Sequence, residues 1–310
     1  MKRDGPKNVV ASVQARLVER SRELGVEHQL TLARFAGERL LYRLSTSEFA
    51  DRFILKGAAL LLMWLGEPIR PTKDVDLLGF GDTSADTLRR VFVALCGIEV
   101  ADDGLTFLVD SIHVEPIRED QEYGGIRVTL MAMLGNVRIP LQVDIGTGDA
   151  VVPPPELQEF PGLLDLPRAT LRMYRPETSI AEKTEAMVRL GIANSRMKDF
   201  FDIYGLATTK AFDGDTLRRA VAATFARRGT AIPTERPLAL SEDFANSPQK
   251  QMQWAPFVRR TRRPELSELP RIIEMLDAFV WPVLKAATRQ DPWPYQWSNG
   301  GPWEPSSSPR

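Results

Sequence analysis

Asp74 and Asp76 stand two residues apart in the run Thr72-Lys73-Asp74-Val75-Asp76-Leu77-Leu78. Leu77, Leu78 and Phe80 give the stretch from Thr72 to Phe80 strand character, and on a strand residues two apart point to the same face. The two carboxylates are therefore expected side by side. Such a pair repels itself and is tolerated only in water or with a cation between the oxygens. The plain alternative is a solvated strand end, and the pair alone does not decide.

The elements around the pair are short and well punctuated. Upstream, the apolar run Phe53-Ile54-Leu55 ends on Lys56-Gly57, and Ala58 to Leu65 reads as a buried helix closed by Gly66. Downstream, Ser84 is expected to cap a helix running to Leu95, followed by strand-like segments at Leu105–Val109 and Ile112–Ile117. His113 alternates with apolar residues in the second of these and reads as a strand surface residue. Two longer strand runs, Ile126–Leu134 and Val137–Ile145, flank Gly135-Asn136, a loop that fits a type II′ hairpin. Asp144 is a lone acid near the end of the second run, where an unpaired charge would be expensive. On the residues alone it is read as lying past the buried edge, in solvent. Asp149, after Gly146-Thr147-Gly148, reads as a turn residue.

Scaffold precedes and follows this core. Apolar residues recur at helical spacing from Val9 to Leu24 and from Leu30 to Leu44, with Arg16, Arg20, Arg34, Arg39 and Arg43 read as solvated faces. Val151-Val152-Pro153-Pro154-Pro155 is a stiff connector, although a β-rich segment through Met173 is compatible with the first domain. Ser179-Ile180-Ala181-Glu182 reads as a capping box for a helix starting at Ile180 and stopping at Gly191, and Ser195 as the cap of a second helix through Leu206. On the latter, Lys198 and Asp202 are four apart and Asp199 and Asp202 three apart. The expected domains are residues 1–50 (helices packing on the core), 51–152 (the core), 153–289 (mainly helical) and 290–310, an extended or disordered tail rich in Trp, Pro, Gly and Ser. Trp254 and Phe257 stand beside Arg259, Arg260, Arg262 and Arg263 as a basic–aromatic cluster able to grip RNA, or as arginines that cap a helix or pair with Glu265 and Glu268.

Composition narrows the class. At 310 residues, 43% hydrophobic and 26% charged, the chain can bury one large core or two modest ones. No apolar run approaches the ~20 residues of a membrane span, and the basic start Met1-Lys2-Arg3 lacks the apolar stretch of a secretory signal, so a cytoplasmic protein is expected. One cysteine and two histidines argue against a disulfide or a zinc site, and Cys96 reads as a buried thiol. A formal net charge of -1 excludes a diffuse basic coat, so any RNA contact must be a local patch.

Taken together, Phe53-Ile54-Leu55-Lys56-Gly57, the following helix and the Asp-x-Asp strand resemble polymerase-β-like nucleotidyltransferases. More narrowly, Arg70-Pro71-Thr72-Lys73-Asp74-Val75-Asp76 is similar to the Arg-x-Ser/Thr-x-Asp-x-Asp motif of the AbiEii/MenT-type nucleotidyltransferase toxins of type IV toxin–antitoxin systems. The string Glu182-Lys183 … Arg196-Met197-Lys198-Asp199-Phe200-Phe201-Asp202 resembles that family's second motif, and the resemblance covers roughly residues 50 to 206. It implies an α+β fold, with a mixed-sheet nucleotidyltransferase core and a mainly helical C-terminal domain. It also implies transfer of a nucleotide from an NTP to an RNA 3′ end, the tRNA acceptor stem in relatives, with translation blocked and a cognate antitoxin as partner. Two Mg²⁺ ions would be held by Asp74, Asp76 and Asp144, the last as the third catalytic carboxylate. Lys56, Gly57, Ala58 and Thr72 would bind the nucleotide, with backbone N–H groups at Gly57 and Ala58 cradling phosphate. Lys183 would reach the triphosphate, with Asp199 or Asp202 buttressing the site. Relatives often carry Ser or Thr in the first turn, where this chain has Ala58-Ala59, so a hydroxyl contact is missing. Two other readings keep the same residues: transfer to a small hydroxylated molecule such as an antibiotic, and a non-catalytic protein binding RNA or a partner.

Overall fold

In the computed structural model, residues 8–66, 74–117, 124–261, 263–289 and 291–306 are described. Two units divide the chain, one of Met1–Met63, Pro71–Gly148 and Glu156–Met173, the other of Trp64–Arg70, Asp149–Pro155 and Tyr174–Arg310. The connector at 151–155 therefore does not end the first unit, because residues 156–173 return to it.

The first unit begins with helices α1 (Val9–Glu23) and α2 (His28–Ser45), where apolar residues recur every three or four positions. Then come β1 (Phe53–Lys56), α3 (Ala59–Leu65), β2 (Asp74–Gly79), α4 (Ala85–Cys96), β3 (Leu105–Pro116), β4 (Ile126–Leu134), β5 (Val137–Thr147), β6 (Glu156–Glu159) and β7 (Thr170–Met173). The seven strands form one mixed sheet in the order β3-β4-β5-β2-β1-β7-β6, with β2–β5 and β1–β7 parallel and the other neighbours antiparallel. The segments expected at 105–109 and 112–117 are one strand, β3, with a register shift between Leu108 and His113. His113 is exposed, 3.5 Å from Glu115.

Alternation decides which face carries chemistry. Val75, Leu77 and Val143 turn toward Leu40, Leu41 and Leu44 of α2 around one small apolar cavity. Each such side chain contributes ~1.5–3 kcal/mol on burial. The residues between them, Asp74, Asp76 and Asp144, must then point to the opposite face. On α2 the expectation of solvated arginines fails for two residues. Arg39 and Arg43 are buried and converge on Asp103, at 2.8 Å each. Four residues apart, they share the inward face of the helix, and Asp103 supplies the charge that makes their burial tolerable.

The second unit contains α5 (Pro176–Leu190), α6 (Met197–Thr209), β8 (Phe212–Asp213), α7 (Gly214–Arg227), α8 (Glu242–Asn246), α9 (Pro248–Thr261), α10 (Leu269–Ala287), β9 (Tyr295–Trp297) and β10 (Trp303–Pro305). Helix α5 starts one turn before the expected capping box, with Pro176 in its first turn and Ser179 buried inside it. Likewise α6 starts without a side-chain cap from Ser195; the Arg196 N–H donates to Asn194 Oδ1 instead. The segment read as an extended or disordered tail supplies β9 and β10, which join β8 in a small sheet of order β10-β9-β8. Aromatic burial explains it. Trp297 is 1% exposed and donates Nε1–H to the Ala207 carbonyl, and Trp303 stacks on Phe279 at 5.6 Å. The architecture is α+β, a mixed-sheet core with a mainly helical second unit. Among the described residues no helix is long and apolar enough to cross a membrane.

Candidate active site

A single row of charges crosses five strands on the sheet face opposite α2. The registers place Lys56 beside Asp76, Asp76 beside Asp144, Asp144 beside Arg127, and Arg127 beside Glu115. Residues opposite each other in a ladder share a face, so the row reads plus, minus, minus, plus, minus from Lys56 outward. Asp74, exposed at the start of β2, lies one step along on the same face, beside Gln142. The registers thus bring together the three acids singled out in the sequence, and add Arg127 and Gln142, which were not.

The turn before α3 is shaped around this row. Gly57 takes φ +77°, a region that side chains with a Cβ avoid, and a Cβ there would overlap the Asp76 carboxylate. Lys56, Gly57 and Ala58 are all half-exposed, so the turn's backbone stays accessible next to the acids. Thr72, assigned to the nucleotide, lies outside the described residues, as do Arg70, Pro71 and Lys73.

Asp144 is the most constrained member. Its Oδ1 accepts from Arg127 Nε and its Oδ2 from Arg127 Nη2, both at 2.8 Å, and Gln142 Nε2 adds a 3.2 Å bond to Oδ2. The bonds to Asp144 hold the Arg127 guanidinium charged beyond the ordinary arginine range, against the pull of desolvation, with the charges of Asp74 and Glu115 adding to the effect. Two-pronged pairing of this kind is strong and directional. The hairpin turn makes it: Leu134 pairs with Val137, and Arg127 and Asp144 stand equally far from that pair along their strands. Counting back from Gly135-Asn136 would have found Arg127 in the sequence.

An all-oxygen donor set beside a bare glycine turn fits Mg²⁺ and the phosphates it accompanies. Among the described residues, no three His, Cys, Asp or Glu side chains are gathered as a ready ligand set. Asp74, Asp76 and Asp144 are the residues that would hold it, and both Asp144 oxygens accept from Arg127.

The second unit carries the other residues of the expected site. Lys183 Nζ sits 2.8 Å from Asp199 Oδ1 and 2.9 Å from Asp202 Oδ2, so both acids hold it. Three residues apart on α6, they share one face and are fully buried. Arg196 Nε adds a 2.6 Å bond to Asp199 Oδ2. Burial by itself would raise the Asp199 pKa, but the charges and bonds of Lys183 and Arg196 outweigh it and bring it to about 2. Arg228 ties neighbouring turns of α5 to the segment that follows β5, with Glu185 at 2.8 Å, Asp149 at 3.3 Å and Glu182 at 3.8 Å. Asp149 is thus an ion-pair partner, not merely a turn residue.

The basic–aromatic cluster is not a stacking platform. Trp254 is buried and donates Nε1–H to the Leu266 carbonyl, and Phe257 packs edge-on against Phe201 at 5.4 Å. Helical spacing puts those rings on the inward side of α9 and leaves Arg259 and Arg260 exposed. Arg263 pairs with Glu265 at 3.5 Å, and Arg262 lies outside the described residues. Cys96 is half-buried, and desolvation pushes its thiol up to about 11, so it is no nucleophile at neutral pH.

Solved structures to which the chain is similar include JHP933 from Helicobacter pylori, at 15% identity and TM-score 0.47, over 85% of this chain and 95% of that one. Another is an antigenic nucleotidyltransferase-like protein from Paracoccidioides brasiliensis, at 16% identity and TM-score 0.34, over 76% of this chain and 92% of that one. No curated protein matches the sequence significantly. The family model described as nucleotidyl transferase AbiEii toxin, type IV toxin–antitoxin system, matches residues 39–280, which takes in both charged clusters. The chain belongs to the AbiEii nucleotidyltransferase toxin family.

Proposed function

We propose that this nucleotidyltransferase moves a nucleoside monophosphate from an NTP to an RNA 3′ end, the tRNA acceptor end above all, releasing pyrophosphate and blocking translation until a cognate antitoxin intervenes. The observation that carries the proposal is the row Lys56–Asp76–Asp144–Arg127 beside the bare turn at Gly57. Divalent magnesium bound there would supply charge neutralisation of the triphosphate and a more acidic attacking hydroxyl. The chain's own residues do the rest. Asp74 and Asp76 supply the ligand oxygens, and backbone N–H groups at Gly57 and Ala58 orient phosphate. Asp144 is assigned as the third metal-binding carboxylate, beside the attacking hydroxyl whose proton it would accept. Lys183 is assigned to the leaving phosphates as a point charge, held in one rotamer by Asp199 and Asp202.

The test is incubation with each labelled NTP, Mg²⁺ and total tRNA, with label expected in RNA of tRNA size for one or two of the four nucleotides. Label appearing only on a small hydroxylated acceptor would replace RNA as the substrate. Lys183→Ala is expected to lower transfer about 10²-fold while RNA affinity stays within twofold, since a phosphate-neutralising charge acts on the reacting group. A fall in RNA affinity with NTP use intact would make Lys183 an RNA contact.

RNA binding itself is expected to use Arg259 and Arg260, which lie exposed on α9. Replacing both by Ala should flatten the log–log salt dependence of tRNA binding by roughly 0.7–0.9 for each phosphate that is no longer neutralised. An unchanged slope would move the RNA surface elsewhere.

A further inference from the structure

We propose that Arg127 is a positioning residue that competes with a divalent cation for Asp144, and that Glu115 is the acid to which Arg127 is handed when the cation binds. The inference rests on the reading of Asp74, Asp76 and Asp144 as the metal-binding carboxylates.

Three observations carry it. First, Arg127 binds both oxygens of Asp144, at 2.8 Å each, so a cation on Asp144 would share that carboxylate with a guanidinium. A cation bridging Asp76 and Asp144 would stand next to a guanidinium, and two positive charges at that range repel. Arg127 and the cation therefore weaken each other's hold on Asp144. Second, Arg127 is not locked in. Its side chain is 31% exposed, which leaves it room to swing along its face of the sheet. Third, the β3–β4 register puts Glu115 directly beside Arg127, on the side away from Asp144. Glu115 is 52% exposed and faces the same side as Arg127. A guanidinium between two acids in one row has two resting places, and the cation biases the choice. Gln142 keeps Asp144 oriented in either state through its bond to Oδ2.

The role differs from a merely structural ion pair in what it does to metal affinity. Removing a structural partner would loosen Asp144 and weaken the site. Removing a competitor strengthens it. The experiment is a Mn²⁺ titration of the purified full chain, with free ion counted by electron paramagnetic resonance. Arg127→Gln is expected to bind Mn²⁺ about tenfold tighter than the parent, the worth of one charge-assisted pair. Arg127→Lys, which cannot grip both oxygens, should fall between the two. Glu115→Gln removes the alternative resting place and should weaken Mn²⁺ binding by severalfold. The gain should vanish in Arg127→Gln/Asp144→Asn.

Equal or weaker Mn²⁺ binding in both Arg127 variants, with the parent binding normally, overturns the competition and leaves the metal reading intact. If the parent and all variants bind no Mn²⁺, or if Asp76→Asn binds as well as the parent, the metal reading falls and takes the competition with it. Should Arg127→Gln fail to fold, Arg127→Lys and Glu115→Gln still give opposite signs, and shifts in the same direction overturn the proposal.

Discussion

Asp76→Asn is expected to abolish nucleotidyl transfer, by roughly 10³-fold or more, while the chain stays folded. Asp76 stands at the centre of the charged row, flanked by Lys56 on one strand and Asp144 on the other. No neighbour can take its place, since Asp74 is two residues away at the exposed strand start. The amide keeps the shape over Gly57 and removes only the charge, so packing is preserved. Replacing one of several adjacent carboxylates also relieves repulsion in the metal-free protein, so the melting temperature should hold or rise slightly. Single-turnover transfer with saturating NTP, alongside a thermal melt, checks both halves. Activity within tenfold of the parent would place the chemistry elsewhere, and a collapse of the fold would make Asp76 a structural residue.

A different kind of loss is expected from Asp199→Asn. Asp199 is fully buried and bonds Lys183 and Arg196 at once. Breaking a buried ion pair from one side strands the remaining charge, which costs ~3–5 kcal/mol, with the lower end expected because Asp202 still holds Lys183. Urea unfolding should therefore show a lower midpoint at unchanged slope. The acid limb gives a second readout. The Asp199 carboxyl is depressed from its ordinary 3.8 to about 2, so its stabilisation is fully present above about pH 4 and is lost as pH falls toward 2. The Asn variant lacks that titration, and its stability should fall less steeply over the same window. Equal steepness in the two proteins would show that Asp199 is not the group being protonated. Lys183→Ala measured beside it, singly and combined, would show coupling between the two positions.

Local patterns made much of the first unit legible. The two-residue spacing of Asp74 and Asp76, the Lys-Gly turn and the Gly-Asn hairpin are all short-range signals, and each sits where its spacing implied. Arg127 was equally within reach, since a two-residue turn sets every pairing behind it. Arg39 and Arg43 were not. Their partner Asp103 lies 64 and 60 residues away, and an arginine on a helix looks solvated until such a partner is known. The same holds for the C-terminal strands. Trp and Pro in a Gly- and Ser-rich stretch resemble disorder, and only the distant Phe279 and Ala207 turn the indoles inward. Lys183 could be assigned a helix but not its two acids, because that pairing depends on how α5 meets α6.

Because residues 156–173 return to the first unit, the Pro-rich connector is a poor place for evolution to cut the chain. β7 pairs with β1 at Leu55 and Met173, so a coding sequence severed there would strip β1 of its outer neighbour. The exposed backbone edge would recruit other chains rather than wait for a new partner. Recombination at that point therefore cannot exchange the helical unit as a cassette.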